Sequence, residues 1–253
     1  MKFAAVILAA GQGQRMQTST PKVLHLVGGR AMVLHVIEHA RAAGAERIVA
    51  VLGVGREKVE ALLPPGVETV FQAEQLGTGH AARCAAPLLD GYPGTVAVLY
   101  GDVPLLRAET IAALVRKQAE TGAAAALLTA IVRGPHAYGR IVRDGAGGVR
   151  RIVEHKDATE AERRIEEVNV GVYAFGPGQL FPVLRRLRNE NSQREYYLTD
   201  AAALLAAAGK RVEAVKAEDA EECLGINTPE ELAAAEARYA AGRSKAGEGA
   251  ELY

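Results

Sequence analysis

The chain has 253 residues, 49% of them hydrophobic and 24% charged, with 27 Gly and 10 Pro. That is the make-up of one large α/β domain or two small ones, and it excludes a disordered or fibrous chain. Thirty Lys plus Arg balance thirty Asp plus Glu, so no net positive field draws the protein to nucleic acid or to an anionic membrane, and neither is expected as a partner. Cys84 and Cys223 lie far apart and form no CxxC or Cys/His pattern, which points away from a disulfide scaffold or zinc site and toward a reducing cytoplasm. The segment Lys2 to Ala10 has the charge and apolar run of a weak signal peptide but is too short to span a bilayer. It leads directly into Gly11, Gly13, Arg15, Pro21 and Lys22, a set with chemical purpose.

Phe3 to Ala9 is a continuous apolar run bounded by glycine, which predicts a fully buried parallel strand. Ala31 to Ala43 is predicted as a helix, with Met32, Val36, Ile37 and Ala40 on one face and Gly44 as its stop. Arg47 to Leu52 is the next strand, Glu57 to Leu63 a short helix closed by Pro64 and Pro65, Val67 to Phe71 a third strand and Thr95 to Tyr100 a fourth. Such alternation predicts a parallel sheet with helices on both faces, because parallel strands require crossover connections. After a strand at Ala124 to Val132 the pattern changes: Arg140 to Arg143 and Val149 to Val153 flank the turn-rich Asp144-Gly145-Ala146-Gly147-Gly148, which suits an antiparallel hairpin. Val168 to Phe175 and Arg211 to Val215 are further strands, and Leu180 to Leu187 and Leu198 to Ala208 further helices. Thr228-Pro229-Glu230-Glu231 starts a last helix with a hydroxyl N-cap, proline at the first helical position and acids at the positive end of the dipole. From Gly242 onward the small polar composition predicts a frayed tail. The expected fold is thus an α/β, Rossmann-like, mostly parallel sheet flanked by helices. A catalytic domain spans about 1–227 with an antiparallel β insertion at about 138–170, followed by a C-terminal helix and tail at 228–253.

The loop Leu8-Ala9-Ala10-Gly11-Gln12-Gly13-Gln14-Arg15-Met16 sits at the carboxyl end of the first strand, where open α/β sheets bind ligands. Its glycines let backbone N–H groups approach phosphate, and Arg15 and Lys22 add positive charge. The G-x-G-x-x-G dinucleotide fingerprint fails here because Met16 replaces its third glycine, and no G-x-x-x-x-G-K-[ST] string occurs in the chain. With Pro21-Lys22, the loop resembles the opening L-A-A-G-x-G-x-R-M…P-K of the sugar-nucleotidyltransferases. Further segments match one branch in order: Gln72 to Ala81, Leu99 to Leu105, Tyr138 to Ile141, Ile152 to Ala158, Asn169 to Gly171, Glu195 to Asp200 and Gly225 to Asn227. That branch is the uridylyltransferase half of the bacterial bifunctional N-acetylglucosamine-1-phosphate uridylyltransferase/glucosamine-1-phosphate acetyltransferases, which the chain resembles nearly up to the Thr228 helix.

The resemblance implies a nucleotide-diphospho-sugar transferase fold and Mg²⁺-dependent transfer of UMP from UTP to N-acetylglucosamine-1-phosphate, supplying a cell-wall precursor. It implies Asp102 and Asn227 as ligands to Mg²⁺, two hard oxygen donors that leave positions for phosphate and water. Arg15, Lys22 and Asp102 are the implied catalytic residues, the two cations clamping the triphosphate. Leu8, Ala9, Ala10 and Gly11, with Tyr100 and Gly101, are the implied nucleotide contacts. Gln72, Gly77 and Thr78 match the uracil-reading positions, where an amide and a backbone edge can satisfy a pyrimidine. On the sugar side the implied contacts are Gly139, Glu154 and Asn169, assisted by Thr199. The histidines, including His80 and His155, are read as packing or surface residues, because this transfer needs no histidine base.

In the bifunctional members a hexapeptide-repeat β-helix follows and carries the acetyltransferase; no such repeat occurs in these residues, so acetyl transfer is not expected of them. Monomer and dimer both stay open, as does a stand-alone enzyme against a fragment. Two other functions remain: a nucleotidyltransferase for another phosphate, such as glucose-1-phosphate with UTP or dTTP or a non-sugar phosphate with CTP, and a sugar-nucleotide sensor without turnover.

Overall fold

The computed structural model of the chain describes residues 2–248 apart from Gln12, Gln17, Ser19 and Pro135, with Gln14 and residues 243–248 described in their backbone only. Its first half runs β1 (Phe3–Ala9), a short ribbon of β2 (Leu26–Val27) and β3 (Arg30–Ala31), α1 (Met32–Ala42), β4 (Ala45–Leu52), α2 (Arg56–Glu60), β5 (Val67–Phe71), α3 (Thr78–Arg83), α4 (Ala86–Leu89) and β6 (Thr95–Tyr100). The second half continues with α5 (Ala108–Thr121), β7 (Ala125–Ile131), the hairpin β8 (Arg140–Arg143) and β9 (Val149–Val153), and α6 (Glu160–Arg163). It closes with β10 (Glu167–Phe175), α7 (Leu180–Leu184), α8 (Asp200–Ala207), β11 (Val212–Lys216) and α9 (Pro229–Glu248).

The main sheet has the order β11-β7-β10-β6-β1-β4-β5, with the β8–β9 hairpin attached to β10. β1, β4, β5 and β6 pair in parallel, so their carboxyl ends share one edge. β10 runs antiparallel to both β6 and β7, and β11 is again parallel to β7. This is the mostly parallel, helix-flanked sheet with an antiparallel insertion that the sequence predicts.

β1 is apolar without alternation because both of its faces are covered. Phe3, Ala5, Ile7 and Ala9 join a core with α1 and α5, while Ala4, Val6 and Leu8 join a second core with α3, α7 and α8. At roughly 2 kcal/mol for each large aliphatic side chain removed from water, these two layers hold the central strands in place. α1 buries Met32, Val33, Val36, Ile37 and Ala40 and stops before Gly44, whose φ of 102 ends the turn.

Several element bounds differ from the predicted ones. α5 occupies a stretch for which no helix is predicted; it buries Ile111, Leu114, Val115 and Gln118 on one face. α2 and α7 end earlier than predicted, at Glu60 and Leu184. At the C-terminus the helix continues past Gly242 to Glu248 where a frayed tail is predicted; Gly242 and Gly247 each cost a helix only about 1 kcal/mol relative to alanine. The last residues of the expected tail, 249–253, lie outside the described residues. α9 starts as predicted, and more tightly: the Thr228 hydroxyl accepts from the Glu231 N–H at 3.2 Å while the Glu231 carboxylate accepts from the Thr228 N–H at 3.1 Å. The helix then folds back on the β2–β3 ribbon, packing Leu232, Ala235 and Tyr239 against Val27 and Met32. Among the described residues both cysteines are free thiols, and no helix is long and apolar enough to cross a membrane.

Candidate active site

The carboxyl ends of β1, β5 and β6 open onto a cleft of about 290 Å³. Its floor is the end of β1, where Leu8, Ala9, Ala10 and Gly11 all line it, with Lys22 from the segment after the loop. Gln72 reaches it from the end of β5, held by its backbone N–H on the Leu52 carbonyl at 2.8 Å. Gly77 and Thr78 line it at the start of α3. Gly77 has φ +102, and a Cβ there would stand 2.7 Å from the Tyr196 carbonyl, so glycine is what lets the chain turn into the helix against its neighbour. Arg15 is exposed beside this cleft and does not line it; its guanidinium donates to Asn227 Oδ1 at 2.9 Å. Gly101 lies behind the cleft wall, buried 3.2 Å from the Leu8 carbonyl as measured from a notional Cβ, and contributes close packing of β6 on β1.

A second hollow of about 260 Å³ adjoins the first, and Thr78, Tyr100, Asp102, Glu195 and Asn227 line both. At this joint the Asp102 carboxylate is ion-paired with the Lys22 ammonium, each side chain largely buried. The same ammonium donates to Asn227 Oδ1 at 3.0 Å. The Asn227 amide cannot be reversed without loss, because its Nδ2 donates to the Gly225 carbonyl at 3.1 Å while its Oδ1 accepts from the two cations; its backbone N–H is held separately by Glu231 at 2.6 Å. Its segment is tied to the Asp102 loop by Ile226 N–H donating to the Asp102 carbonyl at 2.9 Å. One carboxylate and one amide oxygen thus converge on a single position already taken by a cation, the lysine's own. Hard oxygen donors converging so, beside open space for further oxygen ligands, fit Mg²⁺. Among the described residues no cluster of three or more His, Cys, Asp or Glu forms a self-sufficient metal site, so any metal here would draw its other ligands from substrate and water.

The second hollow takes Gly139, Glu154 and Asn169 into its lining. Asn169 is aimed by an irregularity in β10: the register against β7 shifts between Asn169 and Tyr173, and Gly171 at its centre has φ +80. The Asn169 side chain accepts from the Gly171 N–H at 3.3 Å, and its backbone N–H donates to the Gly139 carbonyl at 2.8 Å. Glu154 accepts from the Thr199 hydroxyl at 3.0 Å; Thr199 is buried behind it and does not line the hollow. Burial pushes the Glu154 carboxyl up, with Asp200, Asp157 and Glu195 adding to the rise against the lowering effect of the Thr199 hydrogen bond. Burial likewise holds the Tyr100 phenol well above its ordinary value.

Glu195, Tyr138 and Gly225 also line the site and are not singled out from sequence, although each lies inside a matching motif. Tyr138 carries its own signal in retrospect, since it precedes Gly139; its hydroxyl accepts from the Gly225 N–H at 3.2 Å and so joins the insertion to the Asn227 segment. A larger hollow of about 660 Å³ lies at the opposite edge of the sheet. Its buried polar groups answer one another, Thr95 donating to Gln118 and Gln118 to the Ala123 carbonyl, both at 2.7 Å, so volume alone does not make it the site.

Residues 5–207 match the family described as MobA-like NTP transferase domain. Among curated proteins, the bifunctional protein GlmU of Brevibacillus brevis is 48% identical over 236 residues, covering 93% of this chain and 51% of that protein. GlmU of Pelotomaculum thermopropionicum is also 48% identical over 236 residues, covering 93% and 52%. The chain spans about half the length of the curated relatives it matches. Among solved structures, a UDP-glucose pyrophosphorylase complexed with UDP-glucose superposes with a TM-score of 0.77 at 17% identity, over 96% of this chain and 100% of that one. The UDP-glucose pyrophosphorylase from Acinetobacter baumanii gives 0.72 at 21%, over 94% and 93%. These structural likenesses speak to the fold.

Proposed function

This chain belongs to the MobA-like NTP transferase family, and on that premise we propose that it transfers UMP from UTP to N-acetylglucosamine-1-phosphate, releasing pyrophosphate. The observation that carries this reading is the meeting of Lys22, Asp102 and Asn227, with Arg15 at the rim, where two hollows join. A transfer between two polyanions needs two compartments with cations at their junction, and this is such a junction. The identity to proteins named GlmU supports the amino sugar as acceptor.

A phosphate oxygen of the sugar-1-phosphate forms a bond to the α-phosphorus of UTP; the bond from that phosphorus to the bridging oxygen breaks, and its electron pair leaves with pyrophosphate. No protein nucleophile takes part, so the chain contributes position and charge. A triphosphate entering the first cleft offers Lys22 and Arg15 phosphate oxygens as new acceptors, and their charge is then spent on the transferring group and the leaving pyrophosphate. Asp102 and Asn227 would hold Mg²⁺, which when bound supplies neutralising charge to the phosphates. Gln72, Gly77 and Thr78 hold the base edge, while Gly139, Glu154 and Asn169 hold the hexose, with Thr199 keeping Glu154 in place.

Pyrophosphate release measured over a panel of nucleoside triphosphates and sugar phosphates tests the proposal. UTP with N-acetylglucosamine-1-phosphate is expected to be the best pair by kcat/KM. The fold shared with UDP-glucose pyrophosphorylases motivates the second reading, which a best rate with glucose-1-phosphate would establish in place of the first. Binding with no release for any pair would mark a sensor.

A further inference from the structure

The base-reading amide of Gln72 has its orientation decided by chemistry. The side chain is buried, 3% exposed, at the cleft. One end of its amide stands 3.2 Å from the Gly77 carbonyl oxygen. A carbonyl oxygen only accepts, so that end is the NH₂ group. The same nitrogen stands 3.0 Å from His80 Nδ1. Since the nitrogen has protons and no free lone pair to offer, the histidine nitrogen must be the acceptor, bare of hydrogen. Both amide protons are then committed, and Oε1, which has no partner among the described residues, is what Gln72 presents to a ligand.

The imidazole is kept in the form this requires. Burial, and after it the Arg83 guanidinium, lower the His80 pKa, opposed by Glu74 through its charge and a backbone hydrogen bond. Arg83 itself lies over the Tyr196 ring, 5.2 Å from its centroid. His80 therefore sits as a neutral acceptor behind the amide, and it does not line the cleft.

We propose that His80 is a positioning residue for pyrimidine selection: by accepting the second amide proton of Gln72 it fixes Oε1 toward the base. An acceptor fixed there suits the N3–H of uracil and opposes the bare N3 of cytosine. A freely turning amide would serve either base. This inference rests on the UTP reading above and deepens it.

Three variants test it, assayed for kcat and KM with UTP and with CTP at saturating sugar phosphate, alongside thermal melts. His80→Asn keeps an acceptor at the δ position, His80→Leu replaces it with carbon, and His80→Ala makes the same comparison without requiring leucine to fit. The wild type is expected to prefer UTP. His80→Leu and His80→Ala should lose about tenfold or more of the UTP over CTP preference, through KM, with kcat at saturating UTP within about twofold. His80→Asn should keep the preference to within about threefold. The inference is overturned if the carbon variants keep the full preference, or if the asparagine variant loses as much as they do, which would mark a packing role. A wild type indifferent to UTP and CTP would instead sink the UTP reading itself.

Discussion

Replacing Asp102 with alanine separates charge placement from fold. The Asp102 side chain is 12% exposed and paired with Lys22, whose ammonium keeps only Asn227 Oδ1 at 3.0 Å once the carboxylate is gone. Breaking a fully buried pair costs about 3–5 kcal/mol. Here the cleft is open to water and one partner remains, so the expected loss is nearer 1–2 kcal/mol, or about 5 °C in Tm for a chain of this size. The catalytic loss should be much larger, about a thousandfold in kcat, equivalent to about 4 kcal/mol of transition-state stabilisation. A further consequence follows from sign. Removing a negative charge from a cleft that receives a triphosphate cannot weaken nucleotide binding by Coulomb's law, so affinity for UTP measured without Mg²⁺ should hold or improve while kcat falls. Calorimetric UTP titration with and without Mg²⁺, thermal melts and pyrophosphate release together give the three numbers. Near-normal kcat in Mg²⁺, or loss of metal-free UTP binding in a folded variant, would refute the assignment.

Lys22→Ala should lower kcat about a hundredfold while KM for the sugar phosphate stays within about threefold; a change confined to sugar affinity would remove Lys22 from the chemistry. Glu154→Gln should raise Tm at neutral pH. Burial raises the folded-state pKa of Glu154 above its ordinary 4.5, so the native protein binds the extra proton and its stability falls as pH rises from there through the raised folded value. The glutamine variant escapes that loss, and its Tm advantage should shrink as the pH is lowered toward 4.5, while its KM for the sugar phosphate rises about tenfold; a pH-independent Tm difference would contradict the burial argument. Gly171→Ala places a Cβ 2.9 Å from the Tyr100 ring at φ +80. Left-handed strain and overlap together should cost about 2–4 kcal/mol, seen as a Tm drop of about 5 °C or more. An unchanged melt would mean the irregularity in β10 does not hold Asn169 in place.

Much of the fold is legible in the sequence itself. Phe3 to Ala9 carries its burial on both faces in its unbroken apolar run, and Thr228-Pro229-Glu230-Glu231 names its own helix start, because both depend on neighbours in sequence. The unpredicted α5 was legible on the same grounds: Ile111, Leu114, Val115 and Gln118 recur at i, i+3, i+4 and i+7 among Glu, Arg and Lys, and this is the face it packs beneath β7 and β10. For the site, the motifs located Lys22, Asp102 and Asn227 separately. Nothing in local pattern says that the Lys22 ammonium reaches Asn227, 205 positions away, or that Thr199 stands behind Glu154 instead of facing the cleft.

The division has a physical cause. Periodicity, capping and glycine turns act over a few residues, so the chain alone determined the alternation of strand and helix, the loop after β1 and the residue types available for phosphate chemistry. The direction of a side chain is settled by what lies across from it. Which end of the Gln72 amide faces the cleft, how high burial drives Glu154 and where Asp102 meets Asn227 were decided only when β1, β5, β6 and the start of α9 came together at one edge of the sheet.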